Sequence, residues 1–105
     1  MKAFASITLW LLLAAMPMAM PMRSAADAGF GQAMTRMNRS MANAPMTGNS
    51  DHDFLVMMIP HHEGAVDMCR TELRYGRNPK ILALCRDVIA SQSSQIQEMR
   101  QLLAR

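Results

Sequence analysis

Aromatic residues make up 5% of this 105-residue chain, with one Trp, one Tyr and three Phe, so there is little surface on which nucleobases could stack. The formal charge of +3 comes from scattered arginines rather than a basic run, which adds to the case against nucleic-acid binding. There are two cysteines, too few for a disulfide-built miniprotein, and their spacing is neither a zinc nor a thioredoxin signature. The longest apolar run, Ala3 to Met16, is 14 residues and falls short of a bilayer span. At this length there is room for one domain. Half of the residues are hydrophobic and the mean hydropathy is zero, which is too apolar for a disordered chain. One residue type is in large excess: methionine, 13 of 105.

The first 28 residues read as an address. Lys2, the apolar stretch 3–16 and Ala26-Asp27-Ala28 have the order of a secretory signal, with cleavage expected after Ala26 or Ala28. Five methionines leave with it, yet Met34, Met37, Met41, Met46, Met57, Met58, Met68 and Met99 remain. The expected destination is an oxidising compartment, most simply a bacterial periplasm, with no stable membrane span after cleavage.

The rest reads as all-α. Residues 29–50 hold a short helix from Phe30 to about Asn43, with Met34, Met37 and Met41 on one stripe, and a linker ending near Ser50. Residues 51–105 read as a helical hairpin. Its first helix runs to about Tyr75, with Ser50 or Asp51 as cap and Gly76 in the left-handed position past its end. Asn78-Pro79 then opens a last helix that runs to about Ala104. Its inward stripe is Ile81, Leu84, Cys85, Val88, Ile89, Gln92, Ile96, Met99 and Leu103. Cys69 and Cys85 fall eight residues either side of Arg77 and so stand opposite each other, which predicts a disulfide; thiolate ligands or a redox couple are the alternative. So small a hairpin buries little apolar area, and completion of a four-helix bundle by a second copy is expected.

The chemistry lies in MMIPHHEGAVDM, residues 57–68. At about 100° per residue, Met57, His61 and Met68 fall within an arc of about 40°, with His62 on the other side of the apolar centre. Thioether and neutral imidazole suit Cu(I) and its analogue Ag(I), and thioethers, unlike thiols, cannot be lost to disulfides. Methionine at helical spacing also packs cores: Met58 and Met99 read as core, while Met34, Met37 and Met41 read equally as core or as an accessory soft site. His52 lies on the far side and reads as solvated, and Pro60 is expected to kink the helix before the histidines. Enzyme motifs fail. His62-Glu63 lacks the second histidine of a zinc protease because position 66 is Val, and neither Glu63 nor Glu72 is followed at the third residue by His, as a di-iron bundle requires.

Asp51, Phe54, Met58-Ile59-Pro60-His61-His62, Ala65 and Met68, with Gln92, Ile96 and Met99 downstream, closely resemble the domain of unknown function 305 family, the CopM-like proteins. The likeness covers about residues 34–103 and implies a ferritin-like helical fold, export and a metal-binding role for His61, His62, Met57, Met58 and Met68. Two positions depart from the family pattern: Gln95 stands where Glu is usual, and Leu102 where Trp is common. A copper sink or carrier is therefore expected, with a metal-free helical dimer of the envelope or an oxidase-like metalloenzyme as the alternatives.

Overall fold

The computed structural model describes residues 24–105, and all of the regular structure there is helical: α1 (Ala25–Ala42), α2 (Ser50–Tyr75) and α3 (Pro79–Leu103). The expected export signal lies mostly outside the described residues. Its last residues, Ala25–Ala28, form the first turn of α1, which starts earlier than the stripe of methionines indicates. The reason is local: the Ser24 hydroxyl accepts from the Asp27 N–H, and Asp27 sits in the first turn where a carboxylate opposes the helix dipole.

Helix α2 is longer and runs unbroken through Pro60, whose ring is buried. Its cap is Asn49, not the expected Ser50 or Asp51. The Asn49 side chain accepts from His52 N at 3.0 Å, while the Asp53 carboxylate reaches back to the N–H groups of Thr47 (2.9 Å) and Gly48 (3.0 Å). Gly48 has φ of 83°, the left-handed backbone that glycine adopts without strain, and this folds the linker onto the start of α2.

At the other end Gly76 is not left-handed as expected; its φ is −73° and it ends α2 in an extended conformation. Glycine is needed there for closeness, because Gly76 N donates to the Glu72 carbonyl at 2.6 Å and a Cβ would collide with Glu72. Asn78 then caps α3 through Lys80 N and Ile81 N, with Pro79 in the first turn as the sequence indicates.

The packing is a single layer. Helix α2 lies between α1 and α3, which make no contact with each other among the described residues. On the α3 side Val66, Ile96 and Met99 form the core, with Leu55, Met58, Ile59 and Ile89 against it. On the α1 side the fit rests on small residues: a Cβ on Gly64 would stand 3.0 Å from Met37 Cβ, and one on Gly29 would meet Thr71. Among the described residues few are buried and no large side chain is fully enclosed. Ile81 and Leu84, read from the sequence as inward, are exposed because a layer one helix thick has no second layer to cover them.

The Asp53 cluster makes the linker sensitive to acid. Hydrogen bonding from Thr47 N–H, from the His52 ring, from the Thr47 hydroxyl and from Gly48 N–H outweighs burial and holds its carboxyl down at about 2 against an ordinary 3.8. A depressed carboxylate stabilises the fold above its unfolded value, and the contribution disappears as pH falls toward the folded value. Protection of the Thr47 and Gly48 amides from hydrogen exchange should therefore fall between about pH 4 and pH 2, and Asp53→Asn should remove that pH dependence.

Candidate metal-binding face

Because α2 has neighbours on two opposite sides, its remaining surface divides into two faces of different chemistry. One is charged and pairs with itself: Arg36 meets Asp67 at 3.2 Å, Arg70 approaches Asp67 at 3.7 Å, and Arg100 meets Glu63 at 2.6 Å. The other carries Phe54, Met57, His61 and Met68, which the helical period places together. His61 is exposed, and Met57 and Met68 are each 37% exposed. These two thioethers are thus not core, and the structure leaves them, with the His61 imidazole, open to an incoming ion.

Helix α1 brings further sulfur to the same face. Gly29 stands against Thr71, Arg36 against Asp67 and Met37 against Gly64, so α1 and α2 run antiparallel in fixed register. That register puts Met41 level with Pro60 and His61, and Met34 level with Asp67 and Met68. Arg36 lies on the charged side, and Met34 and Met41 follow on the opposite side of α1 by helical period. Met34 is 40% exposed and Met41 half-buried.

The two adjacent histidines are held differently. His62 turns toward α3, where its Nε2 lies 2.7 Å from Gln95 Oε1; with the amide oxygen accepting, the proton is on Nε2. Its Nδ1 is buried and unpartnered, as is Gln92 Oε1. The ring centroids of His61 and His62 are 6.1 Å apart and tilted by 57°. With Nε2 committed to Gln95 and Nδ1 enclosed, His62 as oriented does not face the open ligands. Met58 likewise packs against the Val66–Ile96–Met99 cluster. The structure therefore gathers Met57 and His61, sets Met68 further along the same face, and turns Met58 and His62 inward.

His52, read as solvated, has a structural partner in Asp53, 3.1 Å from its Nδ1. The sequence signal was the Asn49-x-x-His52 cap beside an acidic residue. Among the described residues no group of three or more His, Cys, Asp or Glu side chains is placed to hold a metal ion. A site on this face would thus be built mainly from thioether and imidazole, as soft-metal chemistry requires.

The sequence matches the family described as "Domain of unknown function (DUF305)" over residues 4–103. The chain belongs to the DUF305 family. It is also similar to "Uncharacterized protein L153" of Acanthamoeba polyphaga mimivirus, with 38% identity over 53 residues. That segment covers 50% of this chain and 35% of the viral protein, so the chain spans about a third of its relative's length. In this DUF305 protein Gln95 is the residue that fixes the His62 ring.

The cysteines meet across α2 and α3. Both are buried free thiols, and Cys69 is pushed up to about 12, first by burial, then by the hydrogen bond and charge of Cys85, and last by Glu72. A thiol held protonated is a poor nucleophile. In the reduced protein at pH 8, Cys69 should react with iodoacetamide only as fast as the fold opens. Mild oxidation should join the pair, lower the intact mass by two hydrogens and raise stability by about 3 kcal/mol; quantitative alkylation after oxidation would show that no bridge forms.

Proposed function

We propose that this DUF305 protein is an exported, CopM-like binding protein for Cu(I) and Ag(I), a periplasmic sink or carrier rather than an enzyme. The observation that carries the reading is the open Met57–His61 pair, one helical turn apart, with Met41 of α1 level with it. Residues four apart on a helix are neighbours, so thioether sulfur and imidazole nitrogen can converge on one ion. His61 and Met57 would hold the metal, and Met41 would close the set from the side. A monovalent ion suits neutral ligands, and thioethers bind it without first losing a proton. The signal-like order of residues 1–28 in the sequence supports export, where Cu(I) must be held by ligands that survive oxidising conditions.

Under this reading silver titration should move the His61 ring and Met57 methyl signals in NMR spectra, and His61→Ala should weaken binding at least tenfold. Met58→Leu, a volume-conserving change in the core, should leave affinity unchanged. If silver moves none of these signals, the metal-free interaction protein becomes the better description.

A second copy completes the bundle in this proposal. Phe54, Leu84 and Leu102 are 54%, 59% and 46% exposed, and Phe54, Leu55 and Leu102 line an apolar groove between the start of α2 and the end of α3. Pairing the α2–α3 hairpins of two copies through this strip gives a four-helix, ferritin-like arrangement whose seam runs beside Met57 and His61, on the face that also carries Phe54. Sedimentation should then report a dimer that Leu84→Glu converts to monomer. A native chain that sediments as a monomer at micromolar to millimolar concentration would rule out the pairing.

A further inference from the structure

Met68 has no place in the His61 site. Seven residues separate them, a rise of about 10.5 Å along the helix, and Met57 lies about 16.5 Å from Met68 by the same measure. One ion cannot bridge those gaps, yet Met68 is as exposed as Met57 and is not absorbed by the core. Its neighbours are instead across the seam. Met34 is level with it on α1, and Met37 is seated on Gly64, just over one turn before Met68. Gly64 has no side chain to stand between Met68 and α1, and Ala65 beside it on the open face is small. Of the charged groups nearby, Arg36, Asp67 and Arg70 are engaged with one another on the opposite face, and Glu72, one turn past Met68 on the open face, directs its carboxylate at Gly76 instead.

We infer that Met34, Met37 and Met68 form a second soft-metal site between α1 and α2, made of thioethers alone, so that each chain holds two Cu(I) or Ag(I) ions. The inference rests on the soft-metal reading above and extends it. The three sulfurs come from two helices locked in register by glycine contacts, which places them before the ion arrives and reduces the entropy lost on binding. With no imidazole or carboxylate among its donors, this site takes a monovalent soft ion and has nothing to offer Zn(II), Mg(II) or Ca(II).

Native mass spectrometry of the full chain titrated with Ag(I), combined with methionine-methyl NMR, tests this. The wild-type chain should take two silver ions. Met57→Leu/His61→Ala should keep one, with the Met34 and Met68 methyl signals still moving. Met34→Leu/Met68→Leu should also keep one, with the His61 ring still moving. Leucine conserves the volume of methionine, and circular dichroism checks that each variant stays helical. Loss of all silver from Met57→Leu/His61→Ala, or retention of two ions by Met34→Leu/Met68→Leu, would overturn the second site while leaving the His61 site standing. A wild-type chain that takes no silver would overturn both.

Discussion

Everything distinctive about this protein follows from α2 having to serve two partners at once. Its apolar residues toward α3 (Leu55, Met58, Ile59, Val66) and its small residues toward α1 (Gly64, Thr71) consume two opposite sides of the helix. With α1 and α3 out of contact, nothing among the described residues covers the two remaining strips. One is occupied by salt bridges that neutralise one another. The other is left with sulfur, imidazole and a few apolar side chains, and it is there that the chain differs from an ordinary helical hairpin.

The split between neighbouring histidines is the sharpest consequence. A step of one residue turns a helix by about 100°, so His61 and His62 cannot do the same work on a helix with a partner on one flank. His62 meets α3 and is fixed by Gln95; His61 stays open. A carboxylate at position 95 would hold the same ring with a charge-assisted bond, whereas the glutamine holds it without a charge. Three soft donors therefore remain on the open side of α2, and α1 adds to them.

Much of the fold is legible in the residues because its signals are local. Asn78-Pro79 marks the start of α3, Tyr75 the end of α2, and the arc of Met57, His61 and Met68 follows from helical period alone. What was not legible depends on the neighbours. The period says that Met57 and Met58 lie on different sides of α2 but not which side meets α3, so the family resemblance sets Met58, core by its spacing, and His62 beside Met57 and His61 as ligands, and only the position of α3 separates them. The earlier start of α1 turned on a single hydroxyl at Ser24. The expected inward stripe of α3 assumed a second layer over Ile81 and Leu84, and a single chain does not supply one. That Met34 is level with Met68 depends on the register between α1 and α2, which no periodicity within either helix contains.

The claim that rests most heavily on this arrangement is that the methionines fall into an open set and a packed set. Peroxide oxidation of the native chain, followed residue by residue by peptide mass spectrometry, measures it directly. Met34, Met57 and Met68 should oxidise at rates approaching those of the unfolded chain, and Met58 and Met99 should lag well behind. Equal rates for all five would contradict the single-layer account and the metal-binding face built on it.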